Sequence, residues 1–148
     1  MIENRLTREG LFIQMASLMA LRGTCGRLQV GAVATFDNRM IASGYNGPLK
    51  GDNHCTGLTC NTSEACTRAI HAEANLISFC AKEGIRLYGA KLYCTHQPCQ
   101  KCAELIIASG IIEVNYLHSY RLTEGLELLL KHNFIVNKID EQGNPQFI

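Results

Sequence analysis

Hydrophobic and polar positions follow a helical rhythm at the start of the chain and a strand rhythm after it. From Leu6 to Leu21, apolar residues recur at steps of three and four, which predicts a helix with one apolar face formed by Leu11, Met15, Leu18 and Met19. Two apolar runs at 30–36 and 40–45 follow, separated by Asp37-Asn38-Arg39. Turn residues between two apolar runs predict a β-hairpin.

The second half of the chain alternates between helix-like and strand-like segments. Helices are predicted at 70–82, 99–109 and 123–131, the last with Thr123 as N-cap, and strands at 90–95, 111–117 and 134–139. This α-β-β-α-β-α-β-α-β order predicts an α/β fold whose mixed sheet is covered by helices on both faces. The stretch 46–67 has no usable period and is expected to be irregular, and the tail 140–148 is expected either to be loose or to dock on a partner subunit.

Length and charge narrow the function classes. The 148 residues suit a single domain, 1–148, and 47% hydrophobic residues provide a buried core. With Lys+Arg at 14 and Asp+Glu at 13, no positive field exists to attract a nucleic acid polymer. We expect no membrane partner, because no apolar run approaches the ~18 residues of a membrane span. The first residues lack secretory signal features, so a cytoplasmic location is expected.

Eight cysteines in such a chain are expected to be thiols or metal ligands rather than disulfides. Cys99 and Cys102 are three residues apart at the start of a predicted helix, so both sulfurs can reach one ion at the positive end of the helix dipole. With His71 they make three protein ligands for Zn²⁺, and tetrahedral zinc would keep a fourth position for water. Alone, Cys99-x-x-Cys102 is equally consistent with a structural zinc half-site or a redox pair.

The combined pattern is more specific than either half. His71-Ala72-Glu73 followed by Pro98-Cys99-x-x-Cys102 is the signature of zinc-dependent nucleobase deaminases. Two thiolates reduce the acidity of the metal, so a carboxylate that takes the proton of the bound water has a clear purpose, and Glu73 is the candidate. Residues two apart on a regular helix point about 200° away from each other, so the spacing alone does not place Glu73 beside that water.

The chain resembles the deoxycytidylate (dCMP) deaminase branch of the cytidine deaminase superfamily. The resemblance runs from about Thr24 to Tyr120 and is carried, besides the zinc motifs, by segments 24–32, 44–48, 71–75 and 92–99, of which Gly44-Tyr45-Asn46-Gly47 is the more discriminating. It implies a three-layer α/β/α sandwich around a five-stranded mixed sheet. It also implies homo-oligomers, often hexamers, that are activated by dCTP and inhibited by dTTP.

The same resemblance implies the chemistry of the site. Glu73 would take the proton of the zinc-bound water and return protons to N3 and to the departing amine, which converts dCMP to dUMP and ammonia and supplies dTMP synthesis. Asn46 would hold the deoxyribose, and the backbone amide of Ala72 would hold the pyrimidine O2. As a hypothesis, the 5′-phosphate is bound by Arg27, Tyr120 and Arg121.

The remaining cysteines and the regulatory site are assigned by the resemblance alone. Some relatives use Cys and His residues from such regions for a second, structural zinc, for which the candidates here are Cys25, His54, Cys55, Cys60 and Cys66. No second histidine shortly precedes His71, so a single zinc is the preferred interpretation. Cys80 and Cys94 are expected to be buried. Effectors are expected at a subunit interface near Gly44, Tyr45, Asn46 and Gly47.

Two alternatives stay open. A deaminase of another base, such as tRNA adenosine, shares the zinc motifs, although an RNA editor should show a basic surface. A non-catalytic zinc-binding interaction module would close the tetrahedron with one more cysteine and would not need Glu73.

Overall fold

The computed structural model describes residues 4–55, 60 and 66–147, which form a sheet between two layers of helices. The helices are α1 (Arg8–Ala20), α2 (Ala72–Glu83), α3 (Gln100–Ser109) and α4 (Glu124–Lys131). The strands are β1 (Gly31–Phe36), β2 (Arg39–Tyr45), β3 (Lys91–His96), β4 (Glu113–His118), β5 (Ile135–Ile139) and β6 (Pro145–Gln146). Among the described residues, no helix is long and apolar enough to cross a membrane.

The sheet is mixed, as predicted, with strand order β2-β1-β3-β4-β5-β6. The pairs β3–β4 and β4–β5 are parallel, whereas β1 is antiparallel to both β2 and β3, and β6 is antiparallel to β5. Because β3 and β4 are parallel and pair His96 with His118, the segments that leave their carboxyl ends emerge side by side. Ligands of open α/β sheets bind at this edge.

The hairpin turn has the expected chemistry. Asp37 and Asn38 have φ values of 48° and 57°, the left-handed conformation that a two-residue hairpin turn requires. Aspartate and asparagine tolerate that conformation better than most residues do.

The core lies on both faces of the sheet, and the two faces bury clusters of unequal size. Helices α2, α3 and α4 cover one face, where residues such as Leu76, Leu92, Ile106 and Tyr116 are fully buried. Helix α1 covers the other face with Phe12 and Ile13 against Tyr93 and Ile139. The three-layer sandwich is therefore confirmed.

The predicted apolar face of α1 is wrong. Leu11 and Leu18 are exposed, and the helix instead buries Phe12, Ile13, Ala16 and Ala20. The physical reason is a close approach to β1, where a Cβ atom on Gly31 would lie 2.0 Å from the carbonyl oxygen of Ala16. Small residues on α1 permit this short distance between the helix and β1. The face of α1 with the most regular apolar spacing is therefore not the face that contacts the sheet.

Over residues 140–146 the tail is held against its own chain and is therefore not loose, whereas docking on a partner subunit stays a prediction. β6 pairs with β5 and gives the sheet six strands rather than the predicted five. The Thr7 hydroxyl donates to the carbonyl of Gln142 at 2.6 Å, and the Gln14 amide donates to that of Glu141 at 2.9 Å.

Thr123 stands at the N-cap position of α4, as predicted, but without the side-chain bond that usually accompanies a threonine cap. Its hydroxyl donates to Glu127 Oε1 at 2.7 Å, and its side chain makes no capping bond to the backbone.

Candidate metal and active site

The amino ends of α2 and α3 meet and bring three metal-binding side chains together. His71 is the N-cap of α2, Cys99 is the N-cap of α3, and Cys102 lies in the first turn of α3. The Nδ1 atom of His71 lies 3.4 Å from the Sγ atom of each cysteine. The three ligand atoms all lie within 4.8 Å of one another.

This geometry fits a zinc ion. Zinc–nitrogen and zinc–sulfur bonds of about 2.1 and 2.3 Å at tetrahedral angles separate N from S by about 3.6 Å, close to the two observed distances. One imidazole and two thiolates are also ligands that zinc prefers. Among the residues that the structure describes, these three are the only group of three or more potential donors.

The electrostatics favour a thiolate at Cys99. The hydrogen bond from Cys102 lowers the pKa of Cys99 to about 3, and the hydrogen bond with His71 acts in the same direction. The same contact with Cys99 raises the pKa of His71. Zinc takes the imidazole in its neutral form, so an ion bound here would replace the proton on His71 and pair with the Cys99 thiolate.

Glu73 lies beside the donor group although the sequence spacing could not place it there. Its side chain is buried, with 4% of the residue exposed, and Cys102 Sγ donates to its Oε2 atom at 3.5 Å. Burial raises the pKa of the Glu73 carboxyl. A carboxyl group with a raised pKa is suited to both accepting and returning a proton near neutral pH.

A cavity of about 510 Å³ opens over this group. Its lining includes every residue predicted to bind substrate: Arg27, Asn46, Ala72, Tyr120 and Arg121, together with His71, Glu73 and Cys99. Ala72 is the first residue of α2, where backbone N–H groups have no partner within the helix. The structure thus brings the predicted residues together, and their individual roles stay predictions.

Asn46 has a structural task that the sequence did not reveal. Its Oδ1 atom accepts from the backbone N–H of Val30 at 2.8 Å, and its Nδ2 atom donates to the carbonyl of Leu28 at 2.7 Å. The side chain therefore holds the segment that follows Arg27. One amide hydrogen of Asn46 is left over from these two bonds for a ligand.

Sequence reasoning missed two neighbouring cavity residues, His96 and Gln97. The hydroxyl of Thr95 accepts from the backbone N–H of Gly31 and lies 2.9 Å from His96 Nδ1, within hydrogen-bonding distance. Burial lowers the pKa of the His96 imidazole. The signal that could have found both residues is their position at the carboxyl end of β3, directly before the zinc motif.

Most of the candidates for a second zinc, which is not the preferred interpretation, border residues outside the described part of the chain, whereas the predicted effector segment 44–47 is described in full. Cys25 and Cys66 line the cavity. The segments next to Cys55 and Cys60, which are residues 56–59 and 61–65, lie outside the described residues. Cys80 and Cys94 are buried, as predicted.

In the predicted effector segment, Gly44 packs against α2, where a Cβ atom would lie 2.5 Å from the carbonyl oxygen of Ala72. Gly47 forms a β-bridge with Ile70. Both glycines therefore have packing tasks of their own.

The sandwich fold, the donor triad at paired helix ends and the adjacent buried glutamate define a zinc-type nucleobase deaminase site. The sequence profile of the "Cytidine and deoxycytidylate deaminase zinc-binding region" matches residues 7–118. This chain belongs to the cytidine and deoxycytidylate deaminase family.

Individual relatives agree with the family assignment. ComE operon protein 2 of Bacillus subtilis is 44% identical over 118 residues, covering 79% of this chain and 62% of that protein. The deoxycytidylate deaminase of Mycobacterium phage D29 is 40% identical over 119 residues, covering 71% of this chain and 90% of that protein. The crystal structure of dCMP deaminase from cyanophage S-TIM5 in complex with dCMP and dUMP is similar, with 29% identity and a TM-score of 0.81, covering 87% and 94% of the two chains.

Proposed function

We propose that this chain, as a single domain over 1–148, catalyses the zinc-dependent hydrolytic deamination of dCMP to dUMP and ammonia. The choice of dCMP as substrate is supported by relatives that are named deoxycytidylate deaminase. It is also supported by the similarity to a structure solved with dCMP and dUMP. The observation that carries the proposal is one cavity lined by His71 and Cys99 of the donor triad, the buried Glu73 and two arginines.

The composition of the cavity matches the two ends of a nucleotide. Arg27 and Arg121 provide guanidinium groups, which bind phosphate oxygens in bidentate fashion. Glu73, His71 and Cys99 line the same cavity, where the base would react. A site for a nucleoside or a free base would have no use for the two arginines.

His71, Cys99 and Cys102 would hold the zinc ion. When bound, zinc supplies Lewis acidity that makes water a nucleophile near neutral pH. Glu73 would accept the proton that this water loses and deliver protons to N3 of the ring and to the departing amine. The backbone N–H of Ala72 would hold the pyrimidine O2, and Asn46 would donate its remaining amide hydrogen to the deoxyribose.

The test is ammonia release by the purified zinc-loaded protein from dCMP, deoxycytidine, CMP and adenosine in separate reactions. We expect dCMP to have the highest kcat/KM, because only dCMP combines the phosphate with the deoxyribose. Adenosine as the preferred substrate would instead favour a deaminase of another base. A protein that binds zinc and releases ammonia from none of these substrates would be a binding module.

Regulation and assembly form a further part of the proposal. We expect a homo-oligomer, most simply described as a hexamer. We expect dCTP as activator and dTTP as inhibitor, bound near Gly44, Tyr45, Asn46 and Gly47. Coupling requires that an effector bind two states of the enzyme unequally. Sigmoidal dCMP kinetics that become hyperbolic when dCTP is added would support this regulation. Hyperbolic kinetics indifferent to both triphosphates would contradict it. The molecular mass of the protein in solution would test the oligomeric state.

The cellular setting follows from the same proposal. The dUMP product would supply dTMP synthesis, and a cytoplasmic location stays a prediction.

A further inference from the structure

Gln97 connects the metal motif with the loop that follows β4. It stands directly before Pro98 and the ligand Cys99, lines the cavity and is 5% exposed. Its Oε1 atom accepts from the backbone N–H of Tyr120 at 3.2 Å, and its Nε2 atom donates to the carbonyl of Leu122 at 2.7 Å. Its own backbone N–H donates to the carbonyl of His118 at 2.9 Å. One residue thus holds the loop at three points.

The held loop carries the predicted phosphate ligands. Arg121 lies between the two residues that the Gln97 side chain binds, and Tyr120 is one of them. Residues 119–122 are exposed and belong to neither a helix nor a strand. An exposed loop with a long cationic side chain loses conformational freedom when it binds a ligand, and fixing its backbone in advance reduces that cost.

Resting on the proposed function, we propose that Gln97 is a positioning residue that sets the Tyr120–Leu122 loop at a defined distance from the metal motif. Only a few rotatable bonds join the base of dCMP to its phosphate, so the phosphate reaches a limited region, and a loop held there relative to Cys99 selects substrates with a 5′-phosphate. Gln97 acts through the loop and needs no contact with the substrate.

Gln97→Met tests the proposal, because it keeps the length of the side chain and removes both of its hydrogen bonds. From the range for net hydrogen-bond contributions, we expect the KM for dCMP to rise by about 5- to 100-fold with kcat nearly unchanged. The kcat/KM for deoxycytidine, which has no phosphate to bind, should stay within about twofold of the wild-type value. An equal loss on both substrates, or no change on either, would overturn the proposal.

Asn115→Ala is the matched control for burial. Asn115 is also a buried amide with two hydrogen bonds, one to Glu113 and one from Asn137, but it lies outside the cavity lining. This variant should lower the melting temperature and leave the dCMP to deoxycytidine ratio unchanged. Zinc content, measured for every variant, identifies any disturbance of the neighbouring ligand Cys99. If Asn115→Ala shifts the ratio as far as Gln97→Met does, the role of Gln97 is general stability.

A double-mutant cycle with Arg121→Ala tests whether Gln97 acts through the loop. In the Gln97→Met protein, removal of the Arg121 side chain should cost much less in kcat/KM than in the wild type, whereas full additivity would contradict the proposal. If Gln97→Met does not fold, Gln97→Asn repeats the test with an amide one carbon shorter. An enzyme that does not deaminate dCMP refutes the proposed function, whereas dCMP turnover with an unchanged substrate ratio refutes only the role of Gln97.

Discussion

At the scale of single residues, the relation between His71 and Glu73 depends on where α2 begins. On a regular helix, two residues this close in sequence face away from each other. His71, however, is the N-cap, with extended φ and ψ values of −67° and 154°, so the helical rotation does not apply to it. The extended backbone allows His71 to reach both cysteines while Glu73 contacts Cys102.

Glu73→Gln is expected to reduce dCMP deamination by at least about 10²-fold, because the amide cannot accept the proton that the attacking water loses. Zinc content should not change, since Glu73 is not among the three ligands. Ammonia release and metal analysis on the same preparation check this.

Glu83→Gln is the matched control, because Glu83 lies at the far end of the same helix in an exposed ion pair with Lys82. It should leave turnover unchanged. A Glu73→Gln protein that retains most of its activity would remove the proposed proton carrier.

At the scale of elements, the packing of α1 on β1 depends on the absence of a side chain at Gly31. The backbone of the helix lies so near that a Cβ atom would contact the carbonyl oxygen of Ala16 at 2.0 Å and the backbone nitrogen of Ala20 at 2.5 Å. Backbone atoms cannot rotate away as a flexible side chain can. The exposed Leu11 and Leu18 follow from this contact, since the helix turns its small residues to the strand.

Gly31→Ala should therefore destabilise the fold by about 1–3 kcal/mol, the usual cost of overpacking a core. Urea denaturation followed by circular dichroism measures this cost. Gly26→Ala is the control, because a Cβ atom at Gly26 would meet nothing within 4 Å. Equal stability of the two variants would show that α1 shifts without cost.

At the scale of the whole molecule, the site joins parts that lie far apart in the chain. His71 begins α2, the two cysteines begin α3, and the loops around Arg27 and Arg121 close the cavity above them. An ion held by both helices ties the layer on that face of the sheet together. Its affinity for the folded protein therefore contributes to stability.

Removing zinc with a chelator should abolish activity and lower the melting temperature, and added zinc should restore both. A ligand at a thousand times its dissociation constant stabilises the folded state by about 4 kcal/mol. Thermal unfolding with and without zinc measures the effect. His71→Ala, which removes one ligand, should show a smaller response to zinc, and a wild-type protein that is indifferent to chelation would contradict the metal site.

Structure that depends on neighbours in sequence could be predicted from the sequence, whereas structure that depends on distant segments could not. Turn chemistry at Asp37-Asn38 and most of the helices and strands are local properties, so the hairpin and the element order could be predicted. The sixth strand could not, because the pairing of Pro145–Gln146 with β5 depends on a turn that brings the tail back to the sheet edge. The buried face of α1 could not be predicted either, because it depends on the close contact of the helix with β1.

The sequence by itself determined the α/β order, the candidate zinc ligands and the family, because motif spacing and periodicity are written along the chain. Tertiary structure alone decided that Glu73 lies beside Cys102, that Asn46 holds the segment after Arg27, and that Gln97 holds the loop around Arg121. These are contacts between side chains and backbone brought together from distant segments. Their existence depends on how the sheet and helices pack, which no local pattern records.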